Sequence, residues 1–109
     1  MSETFKTAII SGAAAGTAFS IVSAVADKKI KVCAMDLTTT TDNLSGSIIL
    51  LQSGSTLTAL SSAIPIGYAN PHILPFNVVG WFITPATSDL KCVGTNVIPR
   101  GQIIYSEVI

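Results

Sequence analysis

Charged residues are scarce in this chain. Only 11% of its 109 residues are charged, and six Lys and Arg balance six Asp and Glu to give a formal net charge of zero. Nucleic acid and anionic lipid are gathered by a surplus of basic residues, so the composition predicts neither a nucleic-acid partner nor a membrane partner. A low net charge also provides little repulsion between copies, so we expect the chain to form a homo-oligomer.

Residues that carry out catalysis or hold metal ions are also few. There is one histidine, His72, and the six carboxylates are spread singly from Glu3 to Glu107. Metal sites need clustered ligands, and neither a GxSxG motif nor a complete phosphate-binding loop is present. We therefore predict that the protein is not an enzyme, that it has no metal site and no cofactor, and that His72 is a structural residue.

Cysteine is nearly absent. The two that occur, Cys33 and Cys92, lie in apolar runs without a CxxC spacing, and the chain starts without a secretory signal. Synthesis in the reducing host cytoplasm is expected. This favours two separate buried thiols, with a disulfide as the alternative.

One uncharged segment, residues 7–26, is long enough to cross a membrane and carries Gly12 and Gly16 at GxxxG spacing. Its frequent Ser and Thr and the lack of flanking aromatic residues argue against insertion. Three alanines between the two glycines offer little side chain for a core layer. We therefore interpret residues 1–16 as an extended N-terminal arm outside the folded domain.

The remaining residues favour strands. Ile, Val and Thr account for 14, 8 and 12 residues, and Gly and Pro punctuate the chain at short intervals. This pattern predicts one all-β domain over residues 17–109, with about eight short strands. We expect a hairpin in which the charged turn 27–29 joins the first two strands of that domain, and a turn at 99–101 before the last strand.

Apolar residues that exceed the needs of one small core are candidates for a protein interface. The run at 48–51 is apolar on both faces of a strand, adjacent aromatic residues at 81 and 82 must point to opposite faces, and the arm carries apolar anchors. The lysines at 28, 29 and 31 are interpreted as solubilising charges. The candidate interface residues are Phe5, Ile9, Ile10, Ile49, Leu51, Trp81 and Phe82.

Four segments carry a resemblance when they are taken in order: KKIKV at 28–32, LLQSGST at 50–56, LPFNVVGWF at 74–82 and GQIIYSEV at 101–108. Each is short, but their order and spacing across residues 17–109 resemble a family of small virion structural proteins of tailed bacteriophages. Residues 64–70 look more proline-rich than the family's turn, and 11–16 have no counterpart in the pattern.

The resemblance implies a single eight-stranded β-sandwich of jelly-roll type, located in the virion. It implies a capsid decoration or cement protein that acts as a trimer on the major capsid protein or another virion protein. Two alternatives stay open: a tail, baseplate or fibre component of the particle, and a cellular ligand-binding β-module. The low aromatic content, 6%, speaks against a carbohydrate-binding face.

Overall fold

The computed structural model describes residues 4–12, 16–39, 48–61, 64–65, 72–95 and 97–109. Every helix or strand in these residues is a β-strand, so the all-β prediction is confirmed. The strands are β1 (Lys6–Ser11), β2 (Phe19–Val22), β3 (Lys29–Thr39), β4 (Ile48–Ser53), β5 (Thr58–Ala59), β6 (Ile64–Pro65), β7 (His72–Leu74), β8 (Phe82–Ile83), β9 (Leu90–Thr95) and β10 (Pro99–Val108).

The strands form two antiparallel sheets. Sheet A has the order β1-β10-β3, with β7 and β8 both paired to the far side of β3. Sheet B has the order β2-β9-β4, with β5 and β6 both paired to the far side of β4. The two sheets share one apolar core, which makes the fold a β-sandwich.

The core is built by the alternation of side chains along each strand. In β3 the alternation shifts once, because a bulge lies opposite Ile104 and Tyr105 of β10. Ile30 and Val32 face the core before the bulge, and Met35 and Leu37 face it afterwards. Further core residues come from both sheets: Ile10, Val22, Ile49, Leu51, Ile64, Leu90, Cys92, Val97 and Ile103.

The N-terminal and C-terminal segments run side by side through both sheets. β1 pairs with β10 in sheet A, and β2 pairs with β9 in sheet B. Between the two sheets the pairing continues, since the Gly12 N–H donates to the Pro99 oxygen at 3.0 Å and the Gly16 N–H donates to the Gly94 oxygen at 2.6 Å. One long antiparallel ribbon therefore turns the corner from sheet A to sheet B.

The prediction of an N-terminal arm outside the sandwich is wrong for the part of residues 1–16 that the structure describes. Lys6–Ser11 is the edge strand of sheet A, and the Ile10 side chain is fully buried in the core. The physical reason is that β10 offers a row of backbone hydrogen-bonding groups, which β1 satisfies while it adds Ala8 and Ile10 to the core face. Residues 1–3 and 13–15 lie outside the described residues.

Two expected turns are also wrong. β2 and β3 do not form a hairpin, because they lie in different sheets. The chain crosses between the sheets at Asp27, which has a φ of 62° and whose N–H donates to Thr87 Oγ1 at 3.0 Å. Residues 99–101 do not form a turn but begin β10. Pro99 and Gly101 mark a change of sheet and a close contact with β3, which a local pattern cannot distinguish from a turn.

The two neighbours Ile9 and Ile10 provide a matched test of β1. We expect Ile10→Ala to lower the free energy of unfolding by about 2–4 kcal/mol, because it leaves a cavity in the core. Ile9 is 72% exposed, so Ile9→Ala in dilute protein should lower it by less than about 1 kcal/mol. Urea unfolding of both variants measures the difference. Equal effects would mean that β1 does not pack as described.

Gly101 provides a test of the contact between β10 and β3. Its φ is 143°, and a Cβ placed on it would overlap the backbone carbonyl of Asp36. We expect Gly101→Ala to lower the free energy of unfolding by at least about 2 kcal/mol. Gly54 also has a positive φ of 73°, but the nearest atom to its Cβ position is Ser88 Oγ at 3.8 Å. Gly54→Ala should therefore lower it by only about 1 kcal/mol, and equal losses would argue against the close approach.

Candidate interaction surface

The outer face of sheet A carries an ordered row of exposed side chains. The strand register places Ile9 beside Gln102, Gln102 beside Asp36, and Asp36 beside Ile73, so the row crosses four strands. All four side chains are exposed. The neighbouring rows on either side point into the core, as pleating requires. We call these four residues the outer row.

A second, shorter row lies beside the outer row on the same face. It consists of Thr7, Ile104 and Ala34, which are register partners across β1, β10 and β3. Ile104 and Ala34 are half-buried. A shallow groove of about 250 Å³ runs over this part of the sheet, and its outward polar lining is Asp36 and Gln102.

The segment from Pro75 to Trp81, between β7 and β8, lies beside this face, and we call it the outer loop. Its backbone is fixed to β3: the Asn77 N–H donates to the Cys33 oxygen at 2.8 Å, and the Trp81 N–H donates to the Val32 oxygen at 2.7 Å. Within the loop, Trp81 Nε1 donates to the Pro75 oxygen at 2.7 Å. These bonds give the loop a defined shape.

A lysine also braces the outer loop. Lys31 Nζ donates to the Val78 oxygen at 2.7 Å, and its stem lies against Gly80 so closely that a Cβ there would overlap it. The prediction that Lys31 is only a solubilising charge is therefore incomplete, because this lysine holds a loop in place. Lys31 and Gly80 are far apart in the sequence, so no local pattern indicates that they meet.

The outer loop turns apolar side chains to solvent. Val79 is 80% exposed, and Phe76, Val78 and Trp81 are exposed as well. The Phe76 ring meets Phe5 edge to face, with centroids 5.2 Å apart, so the segment before β1 and the outer loop are in contact. Pro75 and Phe76 of the loop line the groove together with Ile73, Asp36 and Gln102, so the outer loop adjoins the outer row there. Exposed apolar patches of this kind mark binding surfaces in soluble proteins.

The structure separates the predicted interface residues into three groups. Ile10, Ile49 and Leu51 are buried in the protein's own core and are not available to a partner, because each lies on the inward side of its strand. Phe82 is half-buried and packs against the core. Phe5, Ile9 and Trp81 are exposed. Trp81 lies just before β8 and is exposed, whereas Phe82 packs against the core.

The sequence interpretation missed Ile73, Phe76, Val78 and Val79, which are all exposed. Ile73 lies in the middle of a three-residue strand, where alternation alone does not say which face is outside. The other three lie in or beside a Pro-Phe-Asn-Val-Val-Gly stretch. Apolar residues between Pro and Gly are a signal that a loop presents them, and this signal was available.

The titratable groups of the described residues are the ones that could serve as metal ligands or as reactive groups. Within the described ranges, no three His, Cys, Asp or Glu side chains come together as a metal site would require. Both cysteines are buried, in different sheets. Burial raises the pKa of the Cys92 thiol to about 12, which keeps it protonated. Across the described residues no helix is long and apolar enough to span a bilayer.

The charges at the edge of sheet A are paired. Lys6 Nζ lies 2.8 Å from Glu107 Oε1, and this hydrogen bond, with the charge of Glu107, raises the pKa of Lys6. The pair is exposed to water, so it adds little stability. Asp36 is the one charged residue of the two rows. The next charge on this face is Arg100, two residues from Gln102 on β10, which donates to Ser11 Oγ at 2.7 Å.

No protein-family model, curated protein or solved structure matches the chain. The function is therefore argued from the surface itself.

The raised pKa of Cys92 predicts a pH dependence of stability. The thiol ionises near pH 9 when the chain is unfolded but only near 12 when folded, so its contribution is complete below pH 9 and is lost as the pH rises toward 12. Between pH 8 and 10.5 the loss should be about 2 kcal/mol.

Denaturant unfolding of the native chain and of Cys92→Ala at both pH values measures this loss. The variant should be less stable at pH 8, because it loses buried volume, yet fall less steeply with pH. Identical slopes would show that Cys92 does not ionise on unfolding in this range.

Proposed function

We propose that this protein is a non-enzymatic structural component of a tailed-bacteriophage particle, where it binds the assembled head as a decoration or cement protein. The observation that carries the proposal is the outer loop, which turns Phe76, Val78, Val79 and Trp81 to solvent. A small β-sandwich with a fixed, apolar, weakly charged surface suits a permanent contact with another protein.

The fold proposed with this function is an eight-stranded jelly roll. β5 and β6 share one position beside β4, and β7 and β8 share one beside β3, so ten strands occupy eight positions. We number these positions in chain order: β1, β2, β3, β4, β5 with β6, β7 with β8, β9 and β10. Position 1 then pairs with position 8, 2 with 7, 3 with 6 and 4 with 5. An antiparallel ribbon that is rolled up makes these pairings, and it closes through contacts of 8 with 3 and 7 with 4, here β10 with β3 and β9 with β4.

Jelly rolls occur in viral capsid proteins, but also in lectins and cupins, so this topology supports the proposal without carrying it. The groove helps to choose between a structural protein and a ligand-binding module. Its volume of about 250 Å³ is below the usual size of a small-molecule pocket, and it lies open on the surface of the sheet. The surface is therefore better suited to a protein than to a small ligand.

Quantitative mass spectrometry of particles purified from the encoding phage tests the proposal. We expect this chain in hundreds of copies per particle, in a fixed ratio to the major capsid protein. Copies in the tens or fewer would favour the alternative of a tail, baseplate or fibre component. Absence from washed particles would overturn the proposal.

The outer loop can be tested on particles that lack the protein. Val79→Glu places a charge on a side chain that is already exposed, so it should leave the melting temperature unchanged while it reduces binding to such particles at least tenfold. Thr56→Glu, in an exposed turn beside sheet B, is the matched control and should bind like the native chain. Equal binding of both variants would exclude the loop as the contact.

A further inference from the structure

The outer row has a pattern that is complementary to itself. From one edge of sheet A to the other it reads apolar, amide, carboxylate, apolar: Ile9, Gln102, Asp36, Ile73. If a second copy of this row is laid against the first in reverse order, an apolar side chain lies opposite each apolar one. An amide donor then also lies opposite a carboxylate acceptor. Few partners offer this arrangement, and a second copy of the chain is one of them.

We propose that the outer faces of sheet A from two copies pack against each other around a two-fold axis. The axis runs parallel to the strands, midway between β10 and β3. Rotation about it turns the second copy over and reverses the order of its strands. Ile9 of one copy then meets Ile73 of the other, and the Gln102 amide donates to the Asp36 carboxylate across the interface, twice by symmetry.

The second row fits the same axis. Ile104 lies on β10 and Ala34 lies beside it on β3, so the rotation places each Ile104 opposite an Ala34 of the other copy. A large side chain thus meets a small one, at the place where the groove provides space. Two sheets that pack in this way need such interdigitation, and their natural twist rotates the strands by about 30° relative to each other.

The other simple axis is disfavoured by charge. A two-fold axis that runs across the strands and through the outer row would keep their order, and it would place Asp36 opposite Asp36 and Gln102 opposite Gln102. Two carboxylates that face each other in an apolar surface repel. For contact of the outer row with itself, Asp36 therefore favours the axis parallel to the strands.

This inference goes beyond the proposed function, because self-assembly does not require the particle. A contact of this kind closes on two copies, so it replaces the trimer implied by the resemblance with a dimer. It uses the open rows of sheet A and leaves the exposed Val79 at the tip of the outer loop for the particle.

Sedimentation velocity over a range of concentrations tests the dimer. We expect the native chain to dimerise and Gln102→Glu, which sets a carboxylate opposite Asp36, to weaken the dissociation constant at least tenfold. The double variant Asp36→Lys with Gln102→Glu restores opposite charges across the interface and should return it to within about threefold of the native value. Val79→Ala, off the rows, should have no effect.

Cross-linking with a short bis-maleimide tests the orientation. An equimolar mixture of the single variants Ile9→Cys and Ile73→Cys should give covalent dimers, while either variant alone should give far fewer, because each new thiol faces the other position. Cross-linking of Ile9→Cys with itself would indicate the axis across the strands. The native chain, whose two thiols are buried, serves as the background.

A monomer at the highest concentration, a trimer, or a dimer that ignores the Gln102 and Asp36 exchanges would overturn the inference. These results do not depend on the particle. If the chain is found on particles but does not dimerise, only the inference fails, and if it dimerises but is absent from particles, the proposed function fails. Melting temperatures of all variants separate a lost interface from a lost fold.

Discussion

The pairing of the N-terminal segment with the C-terminal segment is the interaction on which the rest of the structure depends. β10 lies between β1 and β3, and β9 lies between β2 and β4. Neither sheet can join its early strands to its middle strands until the last strands arrive. These contacts link residues far apart in sequence. The chain therefore loses the entropy of closing long loops before most of the core contacts can form. The two sheets are therefore expected to form cooperatively rather than one after the other.

The corner between the sheets explains why glycine stands at positions 12 and 94. At Gly12 a Cβ would lie 3.0 Å from both the Phe19 ring and the Pro99 ring, and at Gly94 it would overlap the Val97 carbonyl oxygen. Glycine is needed because two backbones and a proline ring approach closely there. The same composition is typical of an unstructured arm, and only the packing distinguishes the two.

The outer loop beside sheet A is held in shape by its backbone hydrogen bonds to β3. Because these hydrogen bonds fix the backbone of the loop, the loop keeps its shape although its apolar side chains face solvent. A surface that is already ordered loses little conformational entropy when a partner binds. The exposed apolar residues and the core thus come from the same strands, divided by pleating.

The sequence by itself determined the all-β class and the burial of Cys33 and Cys92, because β-branched content and apolar neighbours are local properties. It did not determine which apolar residues would face solvent: Ile10, Ile49 and Leu51 were expected at an interface and are core, while Ile73 and Val79 are exposed. That assignment depends on the strand register and on which sheet each strand joins, and both are decided by long-range pairing. The outer row exists only because four distant strands bring Ile9, Gln102, Asp36 and Ile73 into one line.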